Sequence, residues 1–371
     1  MDTSQVIINP ATHQEIVRSL CERLKACYVF PEIAEQICRN LQKHLEAGEY
    51  AAIAEGDLFA LALTMHLQEI NHDEHLWVRW HAEPLLDEDT LRHNQVWQEA
   101  RQMEARLDNY GLHKVERLPG NVGYLDIRYF HRPAWGGDTA VAAMGFLANS
   151  QALIIDLRKC TGGYPGMIAL IGSYLFGEEP QHLDSIYWRD EDITQQYWTL
   201  PYLPGKRLPD IPVYVLISSV TFSGGEEFAY ILKTRQRAKL LGDKTDGGAQ
   251  PGASYRLHPH FEAFIPIGRA INPLTGTNWE GCGVTPDISI PQEQAFKAAY
   301  YMALKSILTS LGAAPSGPFQ ALAGEAQTAL EDLEANLKFC PQCGYQNPLY
   351  RATCKNCEVN LQQYSGEKNG Y

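Results

Sequence analysis

The sequence predicts a mixed α/β protein with a helical N-terminal region and a small metal-binding module near its C-terminal end. From Val115 onward, short β-like runs alternate with helical stretches, and two of these runs, ALIIDL and VYVLISS, are almost continuously apolar. Such runs are typical of strands that are covered on both faces in a layered α/β domain. Two Cys-x-x-Cys pairs near the end of the chain predict the metal-binding module.

Three segments with apolar residues at helical spacing predict the N-terminal helices. They cover approximately residues 12–27, 31–48 and 57–70. The second begins at Pro31, a residue favoured in the first turn of a helix, and it stops at Gly48. Because the links between the segments are short, we predict a helical bundle, which the strand-like run HLWVRWH follows.

The remainder of the chain divides by composition. Five strand-like runs are separated by helical stretches, whereas GAAPSGPFQALAG is rich in Gly, Pro and Ala and indicates a linker. The runs are VGYLDIRYF, ALIIDLR, VYVLISS, AKLLGDKT and FEAFIPIG. We predict six successive segments: a helical cap (1–80), a connector (81–114), an α/β core (115–310), a linker with a short helix (311–338), a zinc ribbon (339–360) and a disordered tail (361–371).

The composition argues against several classes of protein. The formal net charge of −13 disfavours binding to nucleic-acid phosphates, and no apolar run is long enough to span a membrane. The first residues contain neither the basic nor the apolar region of a signal peptide, so we expect a cytoplasmic protein. The nine cysteines, four of them in two tight pairs, do not fit a disulfide framework and indicate a reducing compartment.

Ser223 is the first candidate for chemistry. The apolar run VYVLISS ends shortly before it, and the stretch GGEEFAYIL after it is helical. A serine at the start of a helix lies near unpaired backbone N–H groups. The N–H of Gly224 can therefore face the oxyanion that forms when the serine attacks a carbonyl carbon. The alternative is that Ser223 only caps the helix, as serine often does.

A second strand-to-helix turn, in ALIIDLRKCTGGYPGM, contains Gly162 and Gly163. Their backbone N–H groups are candidates for the second half of an oxyanion hole. The alternative is an ordinary turn without a chemical role. The spacing of the glycines differs from that of dinucleotide-binding and phosphate-binding loops, which argues against a phosphate ligand.

Two further segments supply a candidate base and a candidate carboxylate. His75 lies in INHDEHLWVRW, where the third helix meets a strand, and Glu280 lies beside a tryptophan in NWEGCG. A histidine held between two elements suits a general base, and a carboxylate suits the orientation of that base. The alternatives are a packed histidine and a solvated glutamate, and His72 is a rival for the base.

Together these segments resemble the tail-specific, or C-terminal-processing, serine peptidases, in the branch of the interphotoreceptor retinoid-binding protein repeats and the tricorn core protease. The resemblance spans roughly Glu15 to Pro291 and is most specific from Ala152 onward. It implies a crotonase-like core of ββα units beside an N-terminal helical domain. It also implies that Ser223 is the nucleophile, His75 the base and Glu280 the carboxylate that orients the base. Gly224, Gly162 and Gly163 match the oxyanion-hole positions of the family.

The sequence departs from many members of that family at three points. A Ser–Lys dyad needs a lysine where this chain has Gly248, and Lys244 comes four residues too early, so we expect histidine to be the base. Cys160 and Thr161 stand in the glycine-bearing loop in place of the usual residues. The connector is too short to hold the peptide-binding PDZ domain that many relatives carry.

The resemblance and the residues together predict a serine-type peptidase with a Ser-His-Glu triad, acting on peptide or protein substrates. This mechanism needs no cofactor for catalysis. The alternative is a non-catalytic protein that binds an apolar ligand or a peptide on the same fold, as the retinoid-binding relatives do. Neither function involves nucleic acid or a membrane span.

The cysteine pairs follow the pattern Cys-x-x-Cys, ten residues, Cys-x-x-Cys, and consist of Cys340, Cys343, Cys354 and Cys357. Each pair offers two thiolates from a tight turn, and two pairs complete a tetrahedron around one Zn²⁺. Because four protein ligands close the site, we predict a structural zinc ribbon whose metal supplies much of its folding energy. The ribbon is also a candidate for docking a protein partner.

Overall fold

The computed structural model describes residues 8–86, 95–335, 338–347 and 353–361. The described chain forms two compact units, and each unit is assembled from three separate stretches. The first unit draws on residues 1–103, 184–196 and 247–281, and the second on residues 104–183, 197–246 and 282–371. The six consecutive segments predicted from the sequence do not correspond to these two units, because each unit combines separate stretches of the chain. The limits of those segments stay a prediction.

Helices and strands are numbered separately along the chain. The helices are α1 (Pro10–Cys27), α2 (Pro31–Glu46), α3 (Gly56–Gln68), α4 (Gln95–Leu107), α5 (Pro133–Leu147), α6 (Pro165–Ser173), α7 (Gly224–Thr234), α8 (Gln292–Leu311) and α9 (Pro318–Glu334). The strands are β1 (Trp77–Trp80), β2 (Leu112–Leu118), β3 (Val122–Ile127), β4 (Ala152–Asp156), β5 (His182–Trp188), β6 (Ile193–Trp198), β7 (Val213–Ile217), β8 (Lys239–Gly242), β9 (Gly252–His258), β10 (Phe261–Pro266), β11 (Gly268–Ile271), β12 (Ile288–Ser289), β13 (Lys338–Phe339) and β14 (Gln346–Asn347). Within the described ranges, none of the helices combines the length and the apolar character needed to cross a membrane.

The first unit joins α1, α2 and α3 to a small antiparallel sheet with the strand order β1-β10-β9. In this sheet Trp77 pairs with Phe264. One buried core connects the helices with alternate residues of β10, and its members include Ile16, Leu20, Phe59, Phe261 and Ala263. A second three-stranded sheet has the order β11-β5-β6. The helices are therefore stabilised by burying their apolar faces against strands that lie far away in sequence.

The second unit is built on a six-stranded sheet with the order β12-β8-β7-β4-β3-β2. β2 runs antiparallel to β3, and the other neighbouring strands are parallel. Side chains on one face, such as Ile154 and Leu216, share a core with Ala299 and Leu304 of α8. Because parallel strands end at the same edge of a sheet, the turns from β4 into α6 and from β7 into α7 lie next to each other.

The structure confirms a mixed α/β protein with a helical N-terminal region, and all five strand-like runs are strands. One strand belongs to a different unit from the one predicted. The sequence places FEAFIPIG in the α/β core, whereas β10 pairs with β1 in the first unit. Side chains of β10 alternate between buried and partly buried, which suits a strand with one face on helices, but the alternation does not reveal the partner strand.

Helix α9 begins at Pro318, inside the stretch whose composition indicates a linker. Proline occupies the first position of this helix. It lacks an N–H, but an N–H at this position would have no acceptor within the helix, so no hydrogen bond is lost. Ala326, Ala329 and Leu330 are buried in the core shared with α8. The helix therefore begins within the stretch predicted as a linker, and its buried residues lie just after that stretch, in the part predicted as a short helix.

Candidate functional site

Ser223 lies in the turn between β7 and α7, immediately before the first helical residue. Its backbone has φ 51° and ψ −119°, a combination that residues with a side chain rarely adopt. Such a conformation costs about 1–3 kcal/mol and is typical of the sharp strand-to-helix turn that presents a nucleophilic serine. An ordinary helix-capping serine has an extended backbone, so this turn is more than a cap.

A buried glutamate holds this turn in place. The Ser223 N–H donates to one carboxylate oxygen of Glu226 (2.8 Å), and the Thr245 hydroxyl donates to the other (2.5 Å). The Thr245 oxygen in turn accepts the N–H of Val284 (2.6 Å). Glu226 is fully buried, so these donors replace the water that its oxygens would otherwise bind. The strained backbone of Ser223 is therefore fixed by a side chain from the first turn of α7.

The loop between β4 and α6 lies against Ser223. A Cβ added to Gly162 would approach the Ser223 Cβ to 3.0 Å and its Oγ to 3.4 Å, and one added to Gly224 would approach the Gly163 nitrogen to 2.8 Å. The loop glycines have φ values of 128° and 139°, which favour glycine. The structure thus brings the three predicted oxyanion-hole residues together beside the Ser223 hydroxyl.

Backbone hydrogen bonds fix this loop to its neighbours. The Phe130 N–H donates to the Gly162 carbonyl (2.9 Å), and the Phe222 N–H donates to the Cys160 carbonyl (3.0 Å). Cys160 is fully buried, and a Cβ on Gly225 would approach its sulfur to 3.0 Å. Burial raises the pKa of the Cys160 thiol to about 12. Cys160 therefore fills space beneath the turn and is not suited to act as a nucleophile.

In the first unit, His75 forms a cluster with two carboxylates. One side-chain atom each of Asp73, His75 and Glu280 lies within 4.8 Å of the others. The His75 ring also lies 5.9 Å from the ring of Phe264. Only 7% of His75 is exposed, and burial lowers the pKa of its imidazole to about 4. The imidazole is therefore neutral near pH 7, which is the form that accepts a proton.

Asp73 fixes the chain at His75. One of its carboxylate oxygens accepts the His75 N–H (3.1 Å), and the other accepts the Tyr28 hydroxyl (2.8 Å). The Asn71 amide donates to the Tyr28 oxygen. Burial raises the pKa of Asp73 to about 6, against the lowering effect of the Tyr28 hydrogen bond. A buried side-chain network thus positions the histidine between α3 and β1.

Glu280 is held by the loop that follows β8. The Ala249 N–H donates to its Oε2 atom (2.5 Å), and the Glu280 N–H donates to the side-chain oxygen of Asn278 (3.1 Å). The neighbouring Trp279 is buried, and its indole N–H donates to the Gly248 carbonyl (2.8 Å). The tryptophan anchors an irregular turn, and the carboxylate beside it reaches the cluster around His75.

The predicted triad residues belong to two units. Ser223 lies in the second unit with the oxyanion-hole glycines, whereas His75 and Glu280 lie together in the first unit. The rival base His72 is exposed, has φ 55°, and in the described part of the chain stands outside the cluster with Glu280. The Lys244 side chain is exposed in the loop after β8. Burial and grouping both favour His75 over His72.

Sequence reasoning missed four residues of this region: Glu226, Thr245, Asp73 and Tyr28. A signal exists for two of them. Ser-Gly-Gly-Glu is the Ser-x-x-Glu pattern of a capping box, and an aspartate often accepts the N–H two residues further on. Thr245 and Tyr28 have no local signal, because their partners lie far away in sequence.

The four predicted cysteine ligands lie close together. Their sulfur atoms are all within 4.8 Å of one another, with 3.4 Å between Cys340 and Cys357 and 3.6 Å between Cys343 and Cys354. Four thiolates at about 2.3 Å from a tetrahedral zinc ion are roughly 3.8 Å apart, so the spacing fits such an ion. The cluster can therefore hold a metal ion.

Donors around the sulfurs also suit metal-bound thiolates. The Asn356 N–H and the Asn347 amide both donate to the Cys354 sulfur, at 3.4 and 3.5 Å. A backbone hydrogen bond closes each cysteine turn. The Gly344 N–H donates to the Cys340 carbonyl (2.8 Å), and a corresponding backbone N–H donates to the Cys354 carbonyl. N–H groups aimed at a sulfur favour its charged form, which is the form that binds metal.

The cysteine module packs on α8. The Phe339 and Tyr301 rings are stacked with centroids 4.7 Å apart, and a Cβ on Gly344 would approach the Ala298 Cβ to 3.0 Å. Cys340 and other module residues belong to the same buried core as the six-stranded sheet. The module is therefore part of the second unit's core.

Two family profiles match the sequence. The profile of Peptidase family S41 matches residues 121–290, and the profile of the N-terminal domain of this peptidase in eukaryotic interphotoreceptor retinoid-binding protein matches residues 1–108. The first match contains Ser223, Glu280 and the loop glycines, and the second contains His75. The two matches follow one another along the chain in the order that the sequence motifs indicate.

Single proteins and solved structures are also similar to this chain. Carboxyl-terminal-processing peptidase 1, a chloroplast protein of Arabidopsis thaliana, is 27% identical over 181 residues, which are 48% of this chain and 35% of that protein. This chain thus spans about a third of the length of that curated relative. A solved structure of a candidate peptidase from Parabacteroides merdae has a TM-score of 0.50 at 16% identity and covers 77% of this chain and 92% of its own, which shows a shared fold. The tricorn protease has a TM-score of 0.47 at 13% identity and covers 87% of this chain and 37% of its own.

Proposed function

We propose, on the premise that the chain belongs to peptidase family S41, that it is a serine peptidase that hydrolyses peptide bonds in peptide or protein substrates. Ser223 is the nucleophile, His75 the general base and Glu280 the carboxylate that orients His75. The observation that carries the proposal is the backbone of Ser223, with φ 51° and ψ −119°, beside a loop where only glycines fit. A structural serine has no need of this conformation.

The acylation step follows from these roles. The Ser223 oxygen forms a bond to the carbonyl carbon of the substrate while its proton passes to the neutral imidazole of His75. The carbonyl oxygen becomes an oxyanion, and backbone N–H groups of Gly224 and the Gly162–Gly163 loop stabilise its charge. The carbon–nitrogen bond then breaks, and His75 returns the proton to the leaving amine. Water releases the acyl group by the same steps in reverse order.

Glu280 is better suited than Asp73 to orient the imidazole. Both oxygens of Asp73 are engaged, one by the Tyr28 hydroxyl and one by the N–H of His75. Glu280 lies in the same cluster as His75, and the Ala249 N–H holds its carboxylate through Oε2. A carboxylate in this role fixes the tautomer of the base and stabilises the imidazolium that forms.

A fluorophosphonate probe tests the nucleophile, because it labels a serine that a neighbouring base activates. We expect the wild-type chain to be labelled and Ser223→Ala to remain unlabelled. Ser219→Ala is the matched control, since Ser219 is an exposed serine in the same turn and should not change the labelling. Absence of label on the folded wild-type chain would contradict the proposal and favour the alternative of a non-catalytic binding protein.

The base and its partner are tested by the labelling rate and by hydrolysis of an unfolded protein substrate. We expect His75→Gln to lower turnover by a factor of about 10⁴–10⁶, and Glu280→Gln by about 10⁴. His72→Gln is the matched control and should retain wild-type rates. Equal rates in wild-type and Glu280→Gln would remove Glu280 from the triad, and a loss in His72→Gln comparable to that in His75→Gln would remove His75.

We also propose that the ion held by the four cysteines is Zn²⁺ in a structural role. A closed set of four thiolates leaves no position for substrate, and the proposed triad performs its own proton transfers without a cofactor. When bound, the ion would link the two cysteine turns and stabilise the module on α8. A cytoplasmic location and a protein partner for this module stay predictions.

A further inference from the structure

Two cysteines of the first unit face each other across neighbouring helices. Cys21 lies on α1 and Cys38 on α2, and neither is part of a disulfide. The Cys38 Sγ atom lies 3.7 Å from the backbone carbonyl oxygen of Cys21, although the two residues are 17 positions apart in the chain. A disulfide forms only where two backbones approach closely, and the contact between the Cys38 sulfur and the α1 backbone marks such an approach.

An ion pair one turn away shows that these two helix faces are apposed. The Lys25 Nζ atom lies 3.4 Å from a carboxylate oxygen of Glu35. Lys25 follows Cys21 by four positions, and Glu35 precedes Cys38 by three, so each lies on the same helix face as its cysteine. Because α1 and α2 run in opposite directions at this interface, the next turn along it brings Cys21 and Cys38 together.

The two thiols differ in their access to solvent. Cys38 is only 6% exposed and belongs to the buried core of the helices. Cys21 is half-buried and packs against the same core. One sulfur is therefore held firmly inside, while the other is at the edge of the interface, where a small solute can reach the pair.

The surroundings of the pair favour one charged sulfur. The hydrogen bond with Cys38, together with burial, raises the pKa of the Cys21 thiol. The same hydrogen bond lowers the pKa of the Cys38 thiol, and the positive charges of Lys25 and Arg39 lower it further, against the effect of burial. The thiolate is the form of cysteine that reacts with oxidants, and a second thiol beside it is typical of cysteines that form disulfides reversibly.

We propose that Cys21 and Cys38 form an oxidisable thiol pair, which hydrogen peroxide converts into a disulfide between α1 and α2. First, the charged sulfur attacks the peroxide. A sulfur–oxygen bond forms, the oxygen–oxygen bond breaks, and the departing oxygen takes the proton of the second thiol. The second sulfur then attacks the sulfenic acid, so that a sulfur–sulfur bond forms and hydroxide leaves. Together the sulfurs lose two electrons, and the peroxide is reduced to water.

The disulfide would close the stretch of chain between the two cysteines into a loop. A cross-link of this kind stabilises a protein mainly by restricting its unfolded state. The pair is distinct from the four cysteines of the C-terminal module and from the residues proposed for peptide hydrolysis. The proposal therefore stands or fails independently of both.

The test uses the full chain, reduced and with the C-terminal cysteine site saturated with Zn²⁺. After treatment with a small excess of hydrogen peroxide, peptide mass mapping should show a peptide that links Cys21 to Cys38 and that dithiothreitol separates again. The link should form faster than Cys282, the exposed cysteine, is oxidised. The oxidised chain should unfold at a higher urea concentration than the reduced chain.

Cys27→Ser is the matched control, because Cys27 is another partly exposed cysteine of α1. It should form the link as the wild-type chain does. In Cys21→Ser, which changes only the half-buried member of the pair, Cys38 should proceed to the sulfinic acid because no second thiol is near. The proposal is overturned if the folded wild-type chain gives no link between Cys21 and Cys38, if Cys282 is oxidised first, or if Cys38 in Cys21→Ser stays a thiol under the same treatment.

Discussion

Replacing Glu226 with alanine should slow the reaction of Ser223 with a fluorophosphonate even where the protein remains fully folded. The carboxylate accepts the Ser223 N–H at 2.8 Å and the Thr245 hydroxyl at 2.5 Å, and alanine removes both bonds. Each buried donor left without a partner costs about 1–3 kcal/mol, so we expect a loss of about 2–6 kcal/mol in the free energy of unfolding.

The effect on reactivity has a separate origin. The backbone conformation of Ser223 costs about 1–3 kcal/mol, and Glu226 is the side chain that holds its N–H. Without that bond the turn relaxes, and the reactive conformation becomes rarer by a factor of about 5–150. The second-order rate constant for labelling should fall by that factor. Glu226→Gln should recover most of it, because an amide oxygen can still accept the Ser223 N–H.

Thr245→Val provides the matched control. It removes the other donor to Glu226 and also leaves the Val284 N–H without its acceptor, so it should destabilise the protein while the bond between Glu226 and Ser223 remains. Denaturant unfolding gives the folded fraction of each variant, and labelling is compared where all are folded. The reasoning is refuted if Glu226→Ala is labelled at the wild-type rate, or if Thr245→Val slows labelling equally.

Three further predictions concern the pH dependence, the glycine loop and the cysteine module. Burial lowers the pKa of His75 to about 4, so the proposed base stays neutral on acidification until about that pH. The labelling rate should therefore be maintained down to about pH 5. A fall in the labelling rate centred near pH 6.5 would contradict the assignment of the buried His75 as the base. Gly162→Ala should slow labelling by a factor of about 10²–10³, because the added Cβ would press on Ser223. Gly177→Ala is the control and should not slow labelling, because its Cβ would meet no atom within 4 Å. Equal labelling rates in the two variants would exclude the loop from the oxyanion hole. Cys354→Ser should lower the zinc content by one equivalent and lower the unfolding temperature, as measured by metal analysis and calorimetry, and an unchanged zinc content would contradict the proposed ligand set.

Local patterns predict this fold well where a few consecutive residues contain the whole signal. The buried strands β4 and β7 are continuous apolar runs, and the cysteine pairs carry their spacing in the sequence itself. The strand-to-helix turn before Gly224 is visible for the same reason. The pairing of β10 with β1 cannot be predicted in this way. The alternation of apolar and polar residues shows which face of a strand is buried, but it does not show which strand lies beside it.

The candidate site is predictable to a similar extent. The residue types of Ser223, His75 and Glu280 point to their chemistry, whereas the unusual backbone of Ser223 is set by a buried contact with Glu226 that only the folded chain shows. Asp73 stands two residues before His75 in the sequence, yet its partner Tyr28 comes from the end of another helix. The proposed catalytic residues are thus easier to recognise in the sequence than the residues that position them.

The stacking of Phe339 on Tyr301 has a practical consequence for shortened versions of the chain. A protein that ends before residue 338 keeps every position matched by the two family profiles, because the match to Peptidase family S41 stops at residue 290. It nevertheless uncovers the apolar side of α8 that the cysteine module shields. Such a protein is expected to aggregate, although its proposed catalytic residues remain in place. The resulting loss of activity could then be mistaken for a defect in catalysis.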